Sequence, residues 1–121
     1  MILVDTSVWI EHLQRGKDAL GSRLQNAEVL CHPFIIGELA CGVIRNRTKI
    51  LSLLQSLPKA ETVSPEEVLQ FIVNRKLAGK GLGYVDIHLL ASAVLTGVPL
   101  WTLEKKLLKI AAALRAAYTD A

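Results

Sequence analysis

The 121-residue sequence is short of most features that tie a chain to a membrane or an oxidising compartment. No apolar stretch reaches the ~20 residues a bilayer span requires. The longest candidate, LLASAVLTGV, has the length of a buried helix. No basic segment precedes an apolar one at the N-terminus, so no secretory leader is expected and the cytosol is the expected compartment. Only two cysteines occur, Cys31 and Cys41. They form no C-x-x-C motif and no histidine pair completes a zinc set, so both are expected as buried free thiols. Aromatic residues make up 5% of the chain, which leaves the core to Leu, Ala, Val and Ile. There is no repeat, low-complexity tract or linker. What remains is a globular composition, 51% hydrophobic and 21% charged, expected to form a single domain over residues 1–121. A net charge of +3 permits a nucleic-acid partner without demanding one.

The periodicity alternates between short strands and helices. Ile2–Val4 reads as a buried strand, followed by a helix from Thr6 to Arg15 that Thr6 or Ser7 is placed to cap and Gly16 to stop. A second helix is expected over Asp18–Asn26 and a second strand over EVLC. Pro33 suits the first position of a helix running through FIIGELACGVI. Thr48–Leu57 reads as helix and AETV as a weak strand. Ser64, Pro65 and Glu67 form a capping box that opens a helix ending at Gly79. GKGLG is a loop. Helix Val85–Thr96, strand VPLWT, helix Glu104–Arg115 and an edge strand AAYT complete the pattern. Alternation of this kind predicts a parallel sheet with helices on both faces, and ligands in such sheets bind outside the carboxyl ends of the strands.

Of the eleven carboxylates, most have ordinary surroundings: Glu28, Glu61, Glu66, Glu67, Asp18 and Asp120 lie at caps, edges or the terminus, and Glu11 on an exposed helix face. Four differ. Asp5 ends the strand MILV, Glu38 interrupts FIIGELACGVI, Asp86 interrupts YVDIHLLASAVL, and Glu104 follows VPLWTL. Each is flanked by residues that favour burial, and a buried carboxylate needs a partner. Asp5 and Glu104 fall at strand ends and Asp86 in a first helical turn. Glu38 lies ~7.5 Å of rise into its helix. Because helical side chains lean toward the N-terminus, a Glu there reaches the strand ends where an Asp falls short. Four carboxylates in one pocket repel by about 4 kcal/mol per close pair at an effective dielectric near 20. An all-oxygen donor set suits a hard cation, Mg²⁺ or Mn²⁺. Thr6, Ser7 and Thr102 are placed to orient the carboxylates. Taken singly, Asp5 or Asp86 reads as a helix cap and Glu104 as an acid favoured by a helix dipole. It is the set that points to a site.

These segments resemble the PIN-domain family, and within it the VapC-type toxin ribonucleases of toxin–antitoxin pairs. LVDTSVWIEHL resembles the opening strand and first acid, PFIIGELACG the segment with the glutamate, and VDIHLLASAVLTGVPLWTLEKKL the segment with the third and fourth acids. The resemblance covers essentially the whole chain. It implies a three-layer α/β fold with a parallel sheet of about five strands flanked by helices, in a homodimer. It also implies an Mg²⁺- or Mn²⁺-dependent endoribonuclease that cuts structured RNA with a metal-activated water and is inhibited by a cognate antitoxin. Asp5, Glu38 and Asp86 match the family's metal-binding acids. Glu104 stands where the family more often has Asp, and Lys106 stands where some relatives carry a further acid.

Basic residues offer an RNA path in three clusters: Arg45, Arg47 and Lys49; Arg75, Lys76 and Lys80; and Lys105, Lys106 and Lys109. Solvated helix faces are the alternative for each. His12, His32 and His88 read as structural. Two other functions fit parts of the pattern. One is a PIN-like module that has lost catalysis and only binds a partner. The other is a phosphoacceptor signalling domain, although such domains resemble one another in paired acids after the first strand, and here Thr6 follows Asp5.

Overall fold

A computed structural model describes residues 1–16 and 18–119, with nothing stated for the side chain of Asp18. Lys17, Asp120 and Ala121 lie outside the described residues, and with them the expected terminal position of Asp120. The elements in chain order are β1 (Ile2–Val4), α1 (Thr6–Arg15), α2 (Asp18–Gln25), β2 (Val29–Leu30), α3 (Pro33–Ala40), α4 (Arg47–Ser56), α5 (Pro65–Arg75), α6 (Tyr84–Thr96), β3 (Leu100–Trp101) and α7 (Lys105–Ala113).

The strands form a parallel sheet in the order β2-β1-β3, with Leu3 opposite both Leu30 and Leu100. The chain therefore leaves β1 for one side and returns on the other. That reversal makes the carboxyl end of β1 a topological switch point, where open α/β sheets bind ligands. Among the described residues three strands form rather than about five. AETV and AAYT are not strands. Their places are taken by isolated parallel bridges, Cys31 to Lys59 and Leu100 to Ala117. On the first edge the Thr96 hydroxyl accepts the Glu61 N–H at 3.0 Å, which gives that amide a partner outside the sheet. The second edge gains the bonds from Leu100 N to Ala116 O (2.7 Å) and from Tyr118 N to Leu100 O (2.9 Å).

Two helices stop earlier than their periodicity suggests. Helix α3 ends at Ala40 because the Arg47 guanidinium donates to the carbonyls of Ala40 and Gly42, which a longer helix would occupy. Cys41, expected to be buried, is consequently exposed at this cap, while Cys31 is buried. Helix α5 ends at Arg75, not Gly79. Lys76 takes a left-handed conformation at φ 55°, and Leu77 folds back to donate to Ile72 O at 3.0 Å while its side chain enters the core. Burying Leu77 offsets the strain of a non-glycine residue at positive φ. The Ser64–Glu67 capping box forms as expected, and Gly97 at φ 78° closes α6.

The core is aliphatic. Leu3, Val4, Ile35, Leu54, Leu89, Leu90, Leu100 and Leu107 are fully buried around Trp9. Helix α6 is its centre, with every residue from Ile87 to Ala93 buried. A helix buried all round cannot show an amphipathic stripe. Among the described residues no helix is long and apolar enough to cross a membrane.

Candidate active site

The sheet's β1 and β3 ends deliver the first part of the site. Asp5 follows Val4, and Thr102 and Glu104 follow Trp101; the bond from Asp5 N to Trp101 O, 2.9 Å, ties the two ends together. Asp5 occupies the N-cap position of α1, but its side chain makes no capping bond, so neither Thr6 nor Ser7 is the cap. Instead Oδ2 of Asp5 accepts from Ser7 Oγ at 2.7 Å and from Thr102 Oγ1 at 2.7 Å. Each hydroxyl also accepts a backbone N–H, Leu103 onto Ser7 at 3.0 Å and Glu104 onto Thr102 at 3.1 Å. A hydroxyl has one proton. Both are spent on Asp5, so the 3.4 Å separation of Ser7 Oγ and Thr102 Oγ1 is a contact between acceptors. The chain beyond β3 is thereby pinned to the start of α1, and a carboxylate only 3% exposed has two of its interactions satisfied.

The remaining acids arrive from helices. Glu38 sits in the second turn of α3, and its Oε1 accepts from Thr6 Oγ1 at 2.7 Å. Asp86 is in the first turn of α6, and its Oδ2 accepts the Gly83 N–H at 3.1 Å. Glu104 is the N-cap of α7 without a side-chain capping bond. A common pattern emerges. Asp5, Glu38 and Asp86 each have one oxygen fixed by a neighbouring hydroxyl or amide, while the other takes no hydrogen bond from the described residues. None of the four acids is ion-paired to a described basic residue.

Electrostatics link them. Burial raises the pKa of Glu104 above the ordinary carboxylate value, and the charges of Asp86, Asp5 and Glu38 raise it further. Asp86 is likewise raised, by burial first and by Asp5, against the stabilising Gly83 N–H. Three helices begin at these acids, and the positive ends of α1, α6 and α7 offset part of the repulsion. Among the described residues no three Asp, Glu, His or Cys side chains converge closely enough to hold one ion. Like charges keep one another at a distance, and the free oxygens lie on separate elements. In chemistry the donor set nevertheless fits a hard divalent cation, being entirely oxygen.

The basic candidates separate. Arg47 is engaged in ending α3. Arg45 lines a groove of about 410 Å³ whose rim includes Glu38, and Lys49 is exposed. Lys105 and Lys106 open α7, with the Lys106 ammonium lying against Gly81 in the loop before α6. Arg75 lies over the Phe71 ring, 5.8 Å from its centroid, and Lys76 follows it as the C-cap of α5. The histidines contact rings and backbone: His12 meets Trp9 edge-on, His32 caps α3 by accepting the Phe34 N–H on Nδ1 at 3.0 Å, and His88 packs between rings. Sequence reasoning did not anticipate Gly83 as the donor that orients Asp86. Its position three residues before an acid in a loop-to-helix junction was the available signal.

Comparison with known proteins agrees with this architecture. The family model described as PIN domain matches residues 2–113. Two relatives, both Ribonuclease VapC32, come from Mycobacterium tuberculosis strains CDC 1551 / Oshkosh and ATCC 25618 / H37Rv. Each is 48% identical over 108 residues, covering 88% of this chain and 87% of the relative.

Proposed function

Because this chain belongs to the PIN-domain family, as a ribonuclease of the VapC type, we propose that it is a metal-dependent endoribonuclease and the toxin of a toxin–antitoxin pair. The observation that carries the reading is the arrangement of Asp5, Glu38 and Asp86, each with one oxygen anchored and one free at the switch point of the sheet. Asp5 and Asp86 would hold Mg²⁺ or Mn²⁺, with Glu38 and Glu104 completing the oxygen set directly or through water. When bound, the cation supplies a more acidic water and positive charge for the phosphate under attack.

The chain's own residues do the rest. Ser7 and Thr102 fix the carboxylate plane of Asp5 and, through Leu103 and Glu104 amides, hold the β3 end in register with α1. Thr6 restrains the long Glu38 side chain, which lowers the entropy lost on binding. Burial and the neighbouring carboxylates raise the pKa of Glu104, so it holds its proton more tightly than an ordinary carboxylate does. No side chain is needed as a covalent nucleophile. Lys105 and Lys106 would meet phosphates of a structured RNA.

An antitoxin is the expected partner. We place its inhibitory segment in the groove between α1 and the end of α3, lined by Ile10, Leu13, Leu39, Val43 and Ile44, with an Arg directed at Glu38 or Asp86. The exposed Leu69 and Val73 of α5 and Leu95 of α6 offer an apolar face for a homodimer. The test is brief expression in bacteria without an antitoxin, with end-mapping of cellular RNA. Growth arrest with new, discrete RNA ends is expected. Arrest with intact RNA, or no arrest at equal protein level, contradicts the reading.

A further inference from the structure

Aromatic residues are scarce in this chain, yet two of its six lie on the helices that carry Glu38 and Asp86. Phe34 is 38% exposed and Tyr84 is 50% exposed. Both rest on the same buried support. The His88 ring meets Phe34 at 4.8 Å between centroids and 64°, and Tyr84 at 4.6 Å and 80°. The His32 ring also meets Phe34, at 5.2 Å and 64°. Edge-to-face contacts of this kind are favourable for aromatic pairs, and they fix both exposed rings through histidines only 1% and 4% exposed. A side chain held from beneath and open above loses little entropy when something stacks on it.

The surroundings indicate what stacks. Phe34 lies one turn before Glu38 on the same face of α3. Tyr84 opens α6, in whose first turn Asp86 sits. The loop immediately before Tyr84 carries the Lys106 ammonium against Gly81, at 3.0 Å from the position a Cβ would take there, and Lys80 is exposed next to it. Fixed aromatic faces, adjoining cations and adjoining phosphate chemistry are the combination that binds unpaired nucleotides: bases stack and the backbone meets ammonium groups.

We propose that Phe34 and Tyr84 form a stacking platform for an unpaired base of the RNA substrate, held beside the four carboxylates by the buried wedge of His88. The proposal rests on the ribonuclease reading and deepens it: the bound RNA presents at least one flipped or single-stranded nucleotide next to the phosphate that is cut. The two rings act by positioning, and the charge on Lys106 steadies the same nucleotide's backbone.

The test uses full-length protein and short single-stranded RNA containing 2-aminopurine, whose fluorescence falls on stacking. Binding is titrated on an Asp5→Asn background and cleavage kinetics are measured on the wild-type background. Phe34→Leu and Tyr84→Leu leave core contacts in place, so unchanged thermal melts are the control. The expected result is quenching by the parent protein, a loss in affinity of about 5- to 150-fold in either Leu variant, and parental binding in Phe34→Tyr and Tyr84→Phe. In cleavage, KM should rise with kcat little changed. Parental affinity and KM in both Leu variants, or no quenching by the parent, overturns the platform. So does loss of an antitoxin peptide with RNA binding intact, which would make the rings a protein-docking surface. A wild-type enzyme that cuts RNA while the Leu variants match it removes the platform and leaves the ribonuclease standing. Quenching that depends on the rings in a protein that cuts nothing removes the ribonuclease and leaves the platform.

Discussion

Two groups of buried polar side chains sit near the carboxyl ends of the strands and follow opposite rules. Around Asp5, every hydroxyl proton is used and backbone amides feed the network from behind. Around His32 and His88, the Nε2 atom of each ring is buried without a hydrogen-bond partner. The first group keeps charge at a buried position. The second avoids it: burial lowers the His32 pKa to about 4, with the neighbouring His88 adding to the effect, and burial lowers His88 as well. The difference lies in donors. A carboxylate is tolerated where hydroxyls and helix N-termini face it, and an imidazole without an acceptor stays neutral and serves as packing.

The sharpest way to break this comparison is to remove charge from the carboxylate group. Asp86→Asn keeps the size of the side chain and an oxygen for the Gly83 amide, but loses the anion. RNA cleavage should fall by about 10²–10³-fold, a loss on the scale of removing one strong electrostatic contact in an active site. Steady-state cleavage at matched protein concentration checks this, and cells expressing the variant should grow.

The histidine group is tested by pH. The folded-state value of His32, about 4, lies below its ordinary 6.5. The unfolded chain therefore takes up its proton first, and the stabilising contribution, full above pH ~6.5, is lost as pH falls toward 4. The total is about 3 kcal/mol for a shift of this size. His32→Asn retains a capping oxygen for the Phe34 amide and cannot titrate. Denaturant unfolding between pH 7 and 4 should show a shallower decline for the variant. An identical slope in both proteins would mean that other groups set the acid limb.

Thr102→Val probes the donors alone. It removes one proton from Asp5 and the acceptor of the Glu104 amide in a near-isosteric change. A stability loss of about 1–3 kcal/mol is expected from the unpaired polar groups. Affinity for Mn²⁺ should fall roughly 10–100-fold, as for other residues that orient metal ligands. Melting curves and calorimetric titration separate the two effects.

The smallest effect is expected at Glu104. Its folded-state pKa is raised, so its neutral form favours the fold; that contribution is full below the ordinary carboxylate range and is lost as pH rises through the raised value. In metal-free protein, Glu104→Gln should then be slightly more stable than wild type at pH 7, by a few tenths of a kcal/mol for so exposed a residue. The advantage should vanish at acidic pH. Lower stability of the variant at pH 7 would place a cation or donor next to Glu104.

The sequence made the four acids legible because each interrupts an apolar run, and a charge in such a run is costly unless it has a purpose. Their placement at strand ends and early helical turns followed from the alternation of periods. The order β2-β1-β3 was consistent with that alternation but not readable from it. The outer strands were overcalled because AETV and AAYT have strand composition, whereas their extent was set by partners far along the chain, such as Thr96 for Glu61. The early ends of α3 and α5 depend on Arg47 reaching back and on Leu77 turning inward, contacts that local propensity does not encode. His88 packs against Phe34 and Tyr84. The rings it supports went unremarked because Phe34 and Tyr84 are far apart in sequence and meet only through it.

The central claim is that the carboxylates at the end of β1 bind the divalent cation with which this protein cuts RNA. Its most direct test is a Mn²⁺ titration of RNA cleavage by purified wild-type and Asp5→Asn proteins, each with an EDTA control. The account predicts that wild-type cleavage rises with Mn²⁺ and stops in EDTA, while Asp5→Asn stays at background throughout. Cleavage that persists in EDTA, or a wild-type-like Mn²⁺ response in Asp5→Asn, would contradict it.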